Sequence, residues 1–147
     1  MNLFVMGLVF VAGFFATMQA GVNYILSEYL RSDLLAALVS FVVGSIGLFI
    51  FIVIYGLEIP GISSLSRVPW WAWLGGLLGA FLVTVTIYAV PKLGATTMFA
   101  VFIGGQMIAS VIFDHFGILG YPEHPVSWIR MLGIALVFSG VVLIKYY

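Results

Sequence analysis

Five long apolar stretches, separated by short polar links, dominate the hydrophobic pattern of this chain. A helix that crosses the hydrocarbon of a bilayer needs about 20 apolar residues at a rise of about 1.5 Å each. The stretches show no alternation of period two, and an open sheet cannot satisfy its edges in lipid. The pattern therefore predicts an all-α membrane protein whose five transmembrane helices lie at about 3–26, 34–55, 70–90, 94–116 and 128–146.

The links between these stretches predict how consecutive helices are arranged. Because the links are short, sequential helices are expected to be antiparallel neighbours. The segment 91–94 is predicted to be a tight turn, since Pro91 blocks helix continuation and Gly94 permits the chain to reverse. The first stretch lacks the positive segment of a signal peptide and is too long for one, so we expect a retained span. We expect a single five-helix transmembrane domain over 1–147.

Composition excludes several classes of protein. With 64% hydrophobic and 7% charged residues, the chain is too apolar for a water-soluble domain. The formal net charge is zero, so nothing indicates a nucleic-acid partner. The absence of Cys excludes disulfides and thiolate metal sites. His115 and His124 lack other metal-ligand residues around them, and no nucleophile has a nearby base, so we expect no metal, no cofactor and no enzyme activity.

Positive charge is shared almost evenly between the two sides of the predicted membrane domain. Arg67, Arg130 and the α-amino group would lie on one side, and Arg31, Lys92 and Lys145 on the other. Most membrane proteins carry a clear excess of Lys and Arg on the cytoplasmic side. One explanation is a weak bias set by a single charge such as Arg31. The explanation that we favour is dual topology, in which both orientations coexist and pair head to tail.

Polar side chains within two predicted helices are candidates for substrate contacts. Gln19 and Asn23 lie four residues apart in the first helix, and Gln106 and Ser110 lie four residues apart in the fourth, so each pair shares one helix face. An amide in lipid must face protein or water. The alternative to a substrate cavity is hydrogen bonding between packed helices, for example between Gln106 and Gln19. We interpret these four residues as lining a cavity.

Asp114 and His115 lie at the end of the fourth predicted helix. One hypothesis is that they titrate and couple protons to transport. The other, which we favour because the pair lies at the water interface, is an interfacial ion pair or cap that involves Arg130.

Small residues recur at spacings that let helices approach closely. Such stripes are typical of helix packing surfaces in membranes. The glycines that we assign to helix packing are Gly13, Gly21, Gly44, Gly75 and Gly79.

Three sequence motifs carry a resemblance to a known family. They are QAGVN at 19–23, PWWAWLGGLLGA at 69–80 and GGQMIASVIFDHFG at 104–117. With these motifs in order, nearly the whole chain resembles the YdcZ family of the drug/metabolite transporter superfamily. The resemblance implies one five-helix half of an inverted-repeat transporter, assembled as an antiparallel homodimer or as a heterodimer with an oppositely oriented paralogue. Inverted repeats bind substrate near the bilayer midplane, at the repeat interface.

The resemblance also implies a function and a location. We expect a secondary transporter for a small molecule of unknown identity, acting as a dual-topology dimer with a central cavity in the bacterial inner membrane. The related small multidrug exporters rely on a Glu within their first helix, and the span 3–26 has no carboxylate, which favours a neutral, zwitterionic or hydrophobic substrate. A cation held by aromatic faces remains open. The alternative function is a non-transporting membrane subunit that packs against or regulates a partner protein, which the glycine stripes support equally well.

Overall fold

The computed structural model describes residues 2–146, apart from the side chain of Ile62, and all regular structure in that range is helical. Short 3-10 turns lie at Trp70–Leu74 and Ile118–Gly120. Five segments, one of them Trp70–Leu93, are long and apolar enough to cross a membrane, with mean hydropathy from 1.7 to 2.8. This confirms the all-α membrane fold. The α-helices are α1 Leu3–Leu30, α2 Asp33–Ile54, α3 Ile62–Leu65, α4 Gly75–Leu93, α5 Ala95–Phe116 and α6 Trp128–Tyr146.

Local capping sets the hairpin between α1 and α2. Helix α1 starts after Asn2, whose side chain accepts a hydrogen bond from the Val5 amide, and it stops at Arg31 in the left-handed region at φ 53°. The hydroxyl of Ser32 then accepts a hydrogen bond from the Leu35 amide and caps α2. Side-chain acceptors at helix starts satisfy amides that have no partner within the helix. The reversal between the two helices therefore needs only two residues.

The predicted turn at 91–94 is wrong in its extent. Helix α4 continues through Pro91 to Leu93, and Gly94, at φ +74°, makes the break before α5 on its own. Proline disrupts a helix by removing one donor and crowding the preceding turn. At Pro91 only the last turn of α4 remains, so the helix tolerates it, whereas the positive φ of Gly94 is a conformation that few other residues adopt.

The chain forms two compact units, Met1–Pro91 and Lys92–Tyr147, which we call the first and second units. In the first unit α1 packs against α2, and side chains of α4 complete a small core. Two of its four buried members are alanines, and small residues of this kind let membrane helices pack closely. The core consists of Ala36, Ala37, Val83 and Ile87, with Leu26 and Leu30 packed against it.

In the second unit α5 packs against α6, and the turn at Ile118–Gly120 folds back on α5. Gly104 is buried there, and a Cβ added to it would lie 3.5 Å from the ring of Phe138. The ring of Phe138 in α6 therefore packs against α5 at Gly104 and leaves room there for one methyl group at ordinary van der Waals distance.

The glycines assigned to packing differ in their surroundings. A Cβ added at Gly79 would lie 3.2 Å from Phe41 Cζ, so this glycine faces α2 closely within the first unit. A Cβ at Gly13, Gly21, Gly44 or Gly75 would meet no neighbouring atom within 4 Å among the described residues. Packing at those four positions stays a prediction.

Candidate substrate-binding sites

An open groove of about 210 Å³ lies on the first unit, and we call it the α1–α2 groove. Gln19 contributes an amide from α1, while α2 contributes two hydroxyls and an aromatic ring. Gln19 is exposed, and its side chain makes no hydrogen bond to the rest of the described chain. The groove is lined by Gln19, Ser40, Phe41, Gly44, Ser45 and Leu48.

Asn23 does not line that groove, although it lies one helical turn from Gln19. Its side chain is 5% exposed and shares the buried face of α1 with Ala20 and Ser27. The Ser27 hydroxyl donates to the Tyr24 carbonyl at 2.8 Å, but Nδ2 of Asn23 has no hydrogen-bond partner within the described residues. A buried donor without a partner costs about 1–3 kcal/mol. Asn23 therefore carries a buried donor that no described residue satisfies.

A second open groove, of about 280 Å³, belongs to the second unit, and we call it the α5 groove. The side chain of Gln106 is exposed and unbonded within residues 2–146. The Ser110 hydroxyl donates to the Met107 carbonyl at 2.9 Å, so its proton is used while its lone pairs remain free to accept. The groove is lined by Gln106, Ala109, Ser110, Phe113 and Tyr121.

Asp114 and His115 fasten the connection between α5 and α6. The Asp114 carbonyl accepts from the His124 amide at 2.7 Å, and Nδ1 of His115 accepts from the Val126 amide at 3.4 Å. Nη1 of Arg130 lies 3.4 Å from Oδ2 of Asp114 and donates to the His124 carbonyl at 3.3 Å. The ion pair expected between Asp114 and Arg130 is present, and both side chains are partly exposed. Proton coupling by Asp114 and His115 stays a hypothesis.

No group of three or more His, Asp or Glu side chains in the described range is placed to hold a metal ion. No charged side chain lines either groove. Both sites therefore offer amides, hydroxyls and aromatic rings, a set suited to an uncharged ligand.

Sequence reasoning missed part of each site. Phe113 follows Ser110 by three residues, so helical spacing places them on the same side and could have identified it. Tyr121 carried no such signal, because its position depends on left-handed backbone at Gly117 and Leu119. Of the α2 residues that line the first groove, only Gly44 is predicted from the sequence, and it is predicted as a packing residue.

Comparison with known proteins gives a consistent family. Residues 4–143 match the family described as "Putative inner membrane exporter, YdcZ". The "Inner membrane protein YdcZ" of Escherichia coli (strain K12) is 36% identical over 90 residues, which is 60% of this chain and 60% of that relative. The match thus spans less than two thirds of the relative's length. No solved structure matches the chain.

The description of the family is that of an exporter and not of a class of enzymes. Both the family and the named relative are assigned to the inner membrane, and the chain has five helices of spanning length. The chain is therefore an integral inner membrane protein that belongs to the YdcZ family of the drug/metabolite transporter superfamily.

Proposed function

We propose that this protein is a secondary transporter for a small molecule and that it acts as an antiparallel, dual-topology dimer with a central cavity. One observation supports the proposal: each unit exposes an amide on a membrane helix that no described residue of the same unit covers. These amides are Gln19 in α1 and Gln106 in α5. In hydrocarbon an uncovered amide costs several kcal/mol, roughly 4–8 by transfer to cyclohexane. Both faces therefore require water or a polypeptide surface outside their own unit.

A dimer in which the grooves open into a hydrated cavity would supply both water and a second polypeptide surface to the two glutamine side chains. Gln19, Gln106 and Ser110 supply polar contacts to substrate, and Asn23 supplies its unpaired donor when substrate or water reaches it. The absence of charge from the groove linings favours a neutral, zwitterionic or hydrophobic substrate. The family's description as an inner membrane exporter supports a transport path over a purely structural interface.

The balance of positive charge supports the antiparallel arrangement. With nearly equal Lys and Arg on the two sides, insertion in either direction has similar cost. Two oppositely inserted copies would reproduce the inverted symmetry of larger transporters, and an oppositely oriented paralogue would serve equally as the partner. Alternating access would then follow from the two subunits exchanging conformations.

Flux measurements test the site. The purified protein is reconstituted in liposomes, and uptake of a panel of radiolabelled neutral and zwitterionic compounds is measured for the wild type, Gln19→Leu and Gln106→Leu. Losing one ligand hydrogen bond should lower flux by about two- to tenfold, since such bonds contribute about 0.5–1.5 kcal/mol. The matched control is Ser139→Ala, whose hydroxyl bonds within α6 and lines neither groove.

Unchanged flux in both glutamine variants would reject these residues as substrate contacts. Flux that appears only when a partner membrane protein is added would instead support the alternative function, a subunit that packs against or regulates another protein.

Topology is tested separately. The chain has no Cys, so Tyr146→Cys introduces a single reactive thiol near the C-terminal end. Intact cells are labelled with a membrane-impermeant maleimide before and after permeabilisation. Labelling of about half the protein from outside is expected for dual topology. Labelling of all or none would contradict the dual-topology homodimer.

A further inference from the structure

We propose that Phe113 and Tyr121 form an aromatic wall in the α5 groove that selects a neutral aromatic ligand carrying an N–H or O–H donor. The inference rests on the proposed function of that groove and deepens it by naming the class of ligand. Neither residue was identified from sequence, and neither belongs to the polar set proposed above.

The two rings are arranged to receive a third. Their centroids lie 6.1 Å apart with planes inclined at 36°, within the range for favourable aromatic contact. Tyr121 is nevertheless 52% exposed, so much of its ring has no partner in the chain. A planar ligand in the groove would cover this exposed surface and extend the existing pair.

The polar groups of the same groove define what the ligand must offer. Because the Ser110 hydroxyl donates its proton to the Met107 carbonyl, this oxygen can only accept from a ligand. Gln106 has an unbonded amide on the same helix face, whose oxygen is a second acceptor and whose NH2 group is a donor. A ligand with one N–H or O–H group satisfies one of these two acceptors, whereas a purely hydrocarbon ring leaves both unpaired.

The lack of charged residues in the α5 groove disfavours a charged ligand. No Asp, Glu, Lys or Arg lines the α5 groove, and Asp114, one turn beyond Ser110, is already paired with Arg130 at 3.4 Å. A cation would lose hydration on entering without gaining a counter-charge, and the rings alone provide about 0.5–2 kcal/mol. A neutral aromatic ligand can enter without losing the hydration of a charged group.

The backbone that carries Tyr121 is held at several points. The Tyr121 amide donates to the Ile118 carbonyl at 3.3 Å, within a turn whose left-handed residues include Leu119. Three residues further on, the His124 amide donates to the Asp114 carbonyl at 2.7 Å. Hydrogen bonds at and after Tyr121 therefore hold its backbone in place, as is needed for a residue that determines ligand specificity.

Indole is the probe for this site because it is neutral and aromatic and has one N–H donor. The full-length protein in nanodiscs is dialysed to equilibrium against tritiated indole, with empty nanodiscs of the same lipid as the blank. We expect saturable binding that Tyr121→Ala and Phe113→Leu each weaken about tenfold. The matched control, Tyr29→Ala, removes an 84% exposed tyrosine from the first unit and should bind as the wild type does.

Two variants distinguish the loss of a ligand contact from the loss of protein structure. Tyr121→Phe keeps the ring and should retain affinity within about twofold if stacking is what matters. Phe113→Leu lies within a regular helix and leaves the α5–α6 connection intact. If both Tyr121→Ala and Phe113→Leu bind indole as the wild type does, the aromatic wall is refuted.

The donor requirement is tested with 1-methylindole, which keeps the ring and lacks the N–H group. It should bind about tenfold more weakly than indole, and Gln106→Leu should reduce that difference. Equal binding of the two compounds overturns the donor requirement. Displacement of indole by benzyltrimethylammonium at lower concentration than by indole itself overturns the neutral class.

The outcome separates this inference from the transport proposal. Saturable indole binding that depends on Tyr121, in a protein without flux, supports the aromatic wall and rejects transport. Flux that depends on Gln106, in a protein that does not bind indole, supports transport and rejects the ligand class.

Discussion

Gly117 lies at the end of α5. Adding a single methyl group there, by Gly117→Ala, tests the geometry of the α5–α6 connection. The φ of Gly117, +61°, is in the left-handed region, which costs a residue with a side chain about 1–2 kcal/mol. A Cβ there would also lie 2.8 Å from Glu123 Cγ, so that side chain must move. Shifting a side chain off its preferred rotamer costs about 0.5–1.5 kcal/mol. We therefore expect Gly117→Ala to destabilise the connection by about 2 kcal/mol.

Three companion variants separate the two contributions. Gly117→Asn tolerates left-handed backbone and so reports mainly the crowding against Glu123. Gly117→Ala combined with Glu123→Ala relieves the crowding and leaves the backbone cost. Gly120→Ala is the matched backbone control, because Gly120 has φ +83° and no atom within 4 Å of an added Cβ among the described residues.

Hydrogen exchange at the His124 amide measures the effect, since this amide donates to the Asp114 carbonyl at 2.7 Å across the connection. A loss of about 2 kcal/mol should accelerate its exchange by about 30-fold, while Gly120→Ala should show a smaller increase. If Gly117→Ala exchanges within about twofold of the wild type, the left-handed turn and the contact with Glu123 are not as described. Equal acceleration of exchange in Gly117→Ala and Gly120→Ala would refute the cost of crowding against Glu123 but not the cost of the left-handed backbone.

Three further substitutions test other parts of the molecule. Asn23→Leu removes the unpaired Nδ2 and should raise stability by about 1 kcal/mol in thermal unfolding while lowering flux; a fall in stability would show that the amide has a partner. Asp114→Asn should cost less than about 1 kcal/mol in the same measurement, because its ion pair with Arg130 is partly exposed, and a loss several times larger would contradict that reasoning. The methyl group of Gly75→Ala would lie within 4 Å of no described residue, and the substitution should weaken dimerisation measured by energy transfer between labelled copies; an unchanged dissociation constant would reject the packing role of Gly75.

The membrane class and the five spans could be read from the sequence because they depend on the local density of apolar residues. A stretch of spanning length is recognisable without knowledge of what packs against it. The turn predicted at 91–94 was wrong because Pro91 lies in the last turn of α4, where a proline does not end the helix as it would in the interior. Gly94, with its positive φ, was the part of that motif that mattered.

The site residues could be predicted from the sequence only where their position depends on the spacing within a single helix. Gln106 and Ser110 share a groove because their spacing places them on one face of α5. The burial of Asn23 depends on the packing of other helices against α1, which spacing alone does not reveal. Tyr121 reaches α5 through a turn with left-handed residues, and Leu119 is a residue type that gives no hint of such backbone.

The two proposals together constrain how substitutions in the α5 groove should affect transport. In an antiparallel pair, the two copies of Gln106 and Tyr121 are related by an axis in the membrane plane, so each side of the membrane meets the same groove. A substitution there must then impair binding from both sides to a similar extent. In a parallel pair both copies face the same way, and the two directions would respond differently. The ratio of uptake to release in Tyr121→Ala liposomes therefore reports on the orientation of the subunits as well as on the ligand, and a strongly unequal ratio is incompatible with an antiparallel homodimer.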